Sequence, residues 1–253
     1  MHFKSLNLIV PIIRAVTEAG YSKPTGIQAQ GIPPILEGKD VIGYAPTGTG
    51  KTAAFALPIL QMMKKKSQEH KDIRALIITA TREHALQMEA DLQRYSKYLP
   101  LSQLSIIDGI SEGSQISALR NRVEVLIATP DRLLEMYGRG HINLSRIEVV
   151  VFDDADRLLE TGLGHKIIDI LKLTPQKKQT LVFSATKPPA VTRLADSILN
   201  NPMEITVGAV STADEIIKQP ARTVKKNNRP DYLSVYQEPK AAYGAAIFPL
   251  GTP

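Results

Sequence analysis

Short apolar runs and amphipathic stretches alternate along most of the chain. Seven runs predict strands: DVIGY (40–44), RALIITA (74–80), QLSIID (103–108), VEVLIA (123–128), IEVVVF (147–152), QTLVF (179–183) and MEITV (203–207). They are apolar nearly throughout rather than at alternate positions, as expected of strands covered on both faces of a parallel sheet. Between them, segments such as REHALQMEADLQRYSKYL (82–99) and AVTRLADSILN (190–200) carry helical spacing. This alternation predicts an α/β fold of three layers, a doubly wound and mostly parallel sheet with helices on both faces. There is no internal repeat and no low-complexity segment.

In such folds ligands bind beyond the carboxyl ends of the strands. Five of the seven runs are followed there by polar, phosphate- or metal-competent residues: APTGTGKT, TRE, TPDR, DDAD and SAT. APTGTGKT (45–52) fits a phosphate-binding loop with Ala45 at its leading small position. Gly48 and Gly50 let backbone N–H groups turn toward phosphate oxygens, and the following helix presents its positive end to them. Lys51 would neutralise the β- and γ-phosphates, and the Thr52 hydroxyl would bind magnesium. The run 149–152 ends in Asp153, Asp154 and Asp156, carboxylates that repel one another unless a cation sits among them. With a triphosphate cradle nearby that cation is Mg2+, and Asp153 stands where the metal-holding acid of such folds sits. Asp156 reads alternatively as an exposed acid in the first turn of the next helix.

Composition narrows the picture only slightly. At 253 residues, 43% hydrophobic and 22% charged, the chain is long enough to bury a substantial core. It has no cysteine, which excludes disulfides and thiolate metal sites. LNLIVPII near the start is too short to cross a bilayer and is interrupted by proline, so a soluble, cytoplasmic protein without membrane contact is expected. The net charge of +6 fits a polyanion partner and fits a basic solvated surface equally well. Lys64, Lys65 and Lys66 read as a solvated loop rather than a binding patch. Aromatics are 5% with no Trp, which argues against single-strand stacking platforms.

Taken in order, the loops resemble the DEAD-box ATP-dependent RNA helicase family over about residues 1–208. GYSKPTGIQ (20–28) resembles the Q motif, APTGTGKT motif I, ATREHA (80–85) motif Ia, TPDR (129–132) motif Ib, DDAD motif II and SAT (184–186) motif III. The resemblance implies a RecA-like first helicase domain that binds ATP and Mg2+. It places Phe3, Tyr21, Gln28, Thr47, Gly48, Thr49, Gly50, Lys51 and Thr52 around the nucleotide, with Gln28 reading the adenine edge and Phe3 packing near the base. Without it Gln28 would read as a surface helix residue. It makes Thr52 and Asp153 the metal residues, and Lys51, Asp153 and Asp154 the catalytic ones. Arg82, Gly109, Thr129 and Arg132 would meet the RNA backbone, a sequence-independent mode. Ser184 and Thr186 would couple the nucleotide to RNA; from chemistry alone they read equally well as helix caps.

Several positions depart from the family pattern. Gly26 and Ala80 stand where it has proline, His84 where it has leucine, and Ile110 where it has the second of two paired glycines. Asp131 replaces a glycine and puts a carboxylate where RNA phosphates approach. Asp154 replaces the glutamate that polarises the attacking water. The family also uses a second RecA-like domain, which supplies arginine fingers worth about 10³–10⁵ in rate in related sites. Residues 209–253 read as a linker-like segment and a loose tail with no such domain. ATP turnover near background is therefore expected of this chain alone, leaving two behaviours open: helicase domain, or a catalytically weak nucleotide- and RNA-binding half-clamp acting through a partner.

Overall fold

The computed structural model describes residues 2–65 and 72–208. All seven apolar runs form strands: β1 (Val41–Tyr44), β2 (Ala75–Ile78), β3 (Gln103–Ile106), β4 (Val125–Ala128), β5 (Val149–Phe152), β6 (Gln179–Ser184) and β7 (Met203–Thr206). They make one sheet in the order β3-β4-β2-β5-β6-β1-β7, with every neighbouring pair parallel. Most strands are shorter than their apolar runs, because flanking residues such as Arg74 and Thr79 continue the ladder only through single backbone bonds. β6 runs one residue further than its apolar run and takes in Ser184.

Alternate residues of each buried strand feed two separate cores. Val41, Ile77, Val151 and Phe183 face one side, where they meet α1 (Val10–Glu18), α2 (Gly26–Leu36), α3 (Lys51–Lys65) and α4 (Arg82–Tyr95). Ile42, Leu76, Val150 and Val182 face the other and meet α6 (Pro130–Gly138), α7 (Ala155–Glu160), α8 (Gly164–Lys172) and α9 (Pro189–Ile198), with α5 (Glu112–Leu119) beside them. Two covered faces explain why the runs of β1, β2, β4, β5 and β6 lack alternation, whereas the edge strand β7 buries only Ile205 and its run alternates. The expected helix over 82–99 ends at Tyr95, and the one over 190–200 occupies Pro189–Ile198. The segment LNLIVPII enters α1 with Pro11 in its first turn, where the missing N–H costs nothing.

The lysine run expected as a loop instead closes α3, which extends through Lys65 with Lys64 half-buried; Lys66 lies outside the described residues. So do residues 209–253, and with them the linker and tail expectations. Among the described residues, no helix is long and apolar enough to cross a membrane.

Strand order partitions the loops. The phosphate loop follows β1, SAT closes β6 and DDAD follows β5, and these three strands are consecutive neighbours. The arginine- and threonine-bearing loops follow β2, β3 and β4, the other consecutive group.

Candidate active site

The phosphate loop leaves β1 with its backbone already tied to β6: Ala45 N donates to the Ser184 carbonyl at 3.1 Å. Gly48 and Gly50 hold φ of +82° and +87°, a region that side chains rarely adopt. A Cβ at Gly50 would also fall on the Gln28 amide. That amide is buried, with 2% exposure, and each end makes one hydrogen bond. Its Oε1 accepts from Thr25 N at 3.0 Å, closing a capping box at the start of α2, and its Nε2 donates to the Gly50 carbonyl at 3.2 Å. Gln28 is therefore not a surface helix residue; it links α2 to the phosphate loop. One N–H and one lone pair of the amide remain available.

A cleft of about 420 Å³ brings together Tyr21, Gln28, Thr47, Gly48, Gly50, Lys51, Thr52, His84, Asp153 and Asp154. Thr49 does not line it, since its hydroxyl turns back to the Pro46 carbonyl at 2.6 Å. Tyr21 packs at 6.2 Å from the Tyr95 ring. Phe3 is not among the residues lining this cleft. Its side chain is buried in the α1-side core and borders a separate hollow with His2, Ile13 and Ser22, because the 3-10 turn Phe3–Leu6 folds it inward.

Lys51 is 7% exposed, donates to the Ala45 carbonyl at 3.0 Å and stands 3.7 Å from Asp154 Oδ1. Asp153 is 1% exposed; its Oδ1 accepts from Asp154 N at 3.0 Å, and its Oδ2 has no hydrogen-bond partner. Burial, and then the Asp154 charge, pushes the Asp153 carboxyl up to about 6. Asp154 holds φ 49° and ψ 52°, a left-handed conformation that Asp tolerates better than most residues. His84 of α4 leans over both carboxylates, with Nδ1 3.0 Å from Asp154 Oδ2 and Nε2 3.5 Å from Asp153 Oδ2. Its Nδ1 also lies 3.1 Å from the Thr79 hydroxyl. The Asp154 contact raises the imidazole's affinity for its proton and lowers that of Asp154.

Asp156 is not an exposed acid. It is buried, and its Oδ2 accepts from Thr186 N at 3.0 Å and from Thr186 Oγ1 at 2.7 Å. Thr186 and Ser184 do not cap α9, whose N-cap is Pro188. Ser184 lies wholly buried at the end of β6 with its Oγ unpartnered. DDAD and SAT thus form one polar joint between β5 and β6.

On the β2–β4–β3 side, Arg82 is exposed and its guanidinium lies directly over Gly109, which has φ +78° and no room for a Cβ. Thr129 is buried and donates to Asp108 Oδ2 at 3.3 Å. Arg132 is 7% exposed and pairs with Glu135, so it is not displayed as a free surface cation. Asp131 is exposed and paired with Lys166 of α8, which neutralises the carboxylate expected to repel phosphates.

His84 is the contact residue that sequence reasoning noted only as a departure. The signal available was a polar ring in the first turn of α4, at the position where the family pattern has leucine. The partnership of Asp156 with Thr186, thirty residues away, left no local signal.

The sequence model of the DEAD/DEAH box helicase family matches residues 25–194. Over 218 residues the chain is 40% identical to the ATP-dependent RNA helicase DeaD of Mycobacterium tuberculosis, covering 86% of this chain and 38% of that protein. It is 38% identical over 219 residues to the ATP-dependent RNA helicase CshA of Limosilactobacillus reuteri, covering 87% of this chain and 44% of that one. The chain thus spans less than half the length of these relatives. A solved structure, a hypothetical ATP-dependent RNA helicase from Sulfolobus tokodaii, superposes with a TM-score of 0.71 at 34% identity, over 78% of this chain and 56% of that one. Matching loops, matching RecA-like fold and matching sequence agree: the chain belongs to the DEAD/DEAH box helicase family.

Proposed function

We propose that residues 1–208 are the ATP- and Mg2+-binding domain of an ATP-dependent RNA helicase, which remodels RNA duplexes when paired with a second RecA-like domain. The reading is carried by one convergence: Gln28, Lys51 and the unpartnered buried oxygen of Asp153 meet in a single cleft. Gln28 reads the adenine edge with the donor and acceptor its other bonds leave free, and Tyr21 borders the base. Thr47, Gly48, Thr49 and Gly50 wrap the phosphates with backbone N–H groups, and Lys51 moves its charge from the Ala45 carbonyl to the β- and γ-phosphates.

The residues present fit a magnesium ion, since a fully buried carboxylate oxygen without a donor is a ligand in waiting. Thr52 and Asp153 would hold it, and it would neutralise charge developing between the β- and γ-phosphates. Asp154 orients the attacking water from a carboxylate one methylene shorter than the family's glutamate. It is already engaged by His84 and Lys51, which favours the second reading for the chain alone: a binding half-clamp with turnover near background. Arg82 and the backbone at Gly109, Thr129 and Arg132 contact the RNA sugar–phosphate chain without reading bases. Ser184 and Thr186 pass the nucleotide state to that surface. A cytoplasmic location fits a cysteine-free, basic chain of this family.

Calorimetric titration of the chain with Mg·ATP and Mg·GTP tests the proposal. ATP should bind and GTP should bind more weakly, and Lys51→Ala should abolish binding without lowering the melting temperature. Equal affinity for the two nucleotides removes the adenine assignment, and no binding of either removes the proposal.

A further inference from the structure

The described residues hold one cluster in which an imidazole joins two carboxylates. The candidate ligand atoms of His84, Asp153 and Asp154 lie within 4.8 Å of one another. Acidic clusters alone are common on proteins, and this one is distinguished by a second observation. Asp153 is 1% exposed, and its Oδ2, facing His84 Nε2 at 3.5 Å, has no hydrogen-bond partner. A desolvated carboxylate oxygen left without a donor is costly, and a bound cation relieves that cost.

We propose that His84, Asp153 and Asp154 form a direct, nucleotide-independent site for a borderline divalent transition cation, of the Mn2+ or Zn2+ class, in preference to Mg2+. The site shares Asp153 with the magnesium seat proposed above, but its selectivity comes from His84. Magnesium takes oxygen ligands and keeps its waters, whereas imidazole suits the transition ions. The geometry needs little adjustment. With bonds of about 2.1 Å, adjacent ligand atoms around a tetrahedral or octahedral ion lie about 3.0–3.4 Å apart. The His84 Nε2–Asp153 Oδ2 separation of 3.5 Å is close to that edge. The Thr79 hydroxyl, 3.1 Å from Nδ1, supplies the outer contact that commonly orients a metal-binding imidazole and leaves Nε2 for the ion. Asp154 would exchange its contact with Nδ1 for the metal. Lys51, 3.7 Å from Asp154 Oδ1, offsets part of the negative charge and keeps the site from attracting every cation indiscriminately.

Nucleotide-free chain, stripped with chelator, is titrated with Mn2+, Zn2+ or Mg2+ alone by calorimetry, and the Mn2+ complex is read by pulsed electron paramagnetic resonance. One equivalent of Mn2+ and of Zn2+ should bind at least about tenfold more tightly than Mg2+, the single imidazole nitrogen favouring them. The Mn2+ spectrum should show coupling to an imidazole 14N nucleus. His84→Leu should remove that coupling and weaken Mn2+ at least about tenfold. His84→Gln, which keeps a polar side chain over the carboxylates, should do the same, so a fold defect in one variant does not decide the outcome. Equal Mn2+ and Mg2+ affinity, absence of 14N coupling in the unaltered chain, or its persistence in both variants overturns the inference. If the unaltered chain binds Mn2+ in this way but fails to bind ATP, the nucleotide proposal falls and this one stands.

Discussion

Asp156 receives both the backbone N–H and the hydroxyl of Thr186, at 3.0 and 2.7 Å, and so pins the loop after β6 to the first turn of α7 after β5. The same carboxylate takes Arg157 N at 3.1 Å on its other oxygen, which leaves it well satisfied despite burial.

Breaking that joint should cost stability and do so non-additively. Asp156→Ala should destabilise by about 2–3 kcal/mol and Thr186→Val by about 1 kcal/mol, as for hydrogen bonds to a charged acceptor. The double variant should lose less than the sum, because the two share one interaction. Chemical denaturation of the four proteins measures the cycle, and strict additivity would show that the contact carries no energy.

Gln28 should separate its structural and recognition roles by substitution. Gln28→Glu retains an acceptor for Thr25 N but loses the donor to the Gly50 carbonyl and places an acid beside the phosphates. We expect a stability loss of about 1 kcal/mol and a nucleotide affinity loss of more than tenfold. Gln28→Ala should lose the capping box as well and melt lower than Gln28→Glu. Thermal melts and nucleotide titration on both variants check the ordering.

The chain end of α1 offers a pH prediction. Glu18 is held at about 2 by hydrogen bonds from Tyr98, Lys97 and Arg14, which clamp α1 to the segment after α4, next to Tyr21. Its folded affinity for protons is lower than its unfolded one, so its contribution is present above about pH 4.5 and is lost as pH falls toward 2. Glu18→Gln should show a shallower fall in melting temperature over that window than the unaltered chain. The difference should shrink in high salt because the clamp is exposed.

Asp131 and Lys166 set the charge beside the loops proposed above to contact RNA. Removing Asp131 frees Lys166 as well as deleting a negative charge, so Asp131→Gly should tighten RNA binding and steepen its salt dependence. Lys166→Ala should do the reverse. Fluorescence anisotropy with unstructured RNA across a salt series decides it, and weaker binding by Asp131→Gly would mean that its place in the first turn of α6 matters more than its charge.

Asp154→Glu should raise ATP hydrolysis when the chain is joined to a second RecA-like domain. A longer carboxylate reaches the water directly, and about 1 Å of misplacement costs on the order of 10²-fold. Steady-state turnover with saturating RNA measures it. A fall would show that Asp154, in its left-handed turn beneath His84, is matched to this site as it stands.

Much of this protein was legible without coordinates because the information is local. Short apolar runs without alternation point to strands covered on both faces, as β1, β2, β4, β5 and β6 are, and APTGTGKT carries its own chemistry in eight consecutive residues. Strand ends are also local, so the acids after Phe152 and the glycines after Tyr44 could be assigned to one sheet edge. What sequence could not supply was which loops touch. His84 and Asp153 are neighbours only because β2 and β5 pair in register, with Ile78 opposite Phe152. Asp156 meets Thr186 only because β5 and β6 pair next to it. Gln28 reaches Gly50 only because α2 packs on α3. Phe3 turns into the core because the 3-10 turn Phe3–Leu6 presents it there, a placement that the resemblance alone did not give. Short-range pattern determines what each segment is; pairing across the sheet decides what its polar ends do, since those contacts depend on strand order and not on separation along the chain.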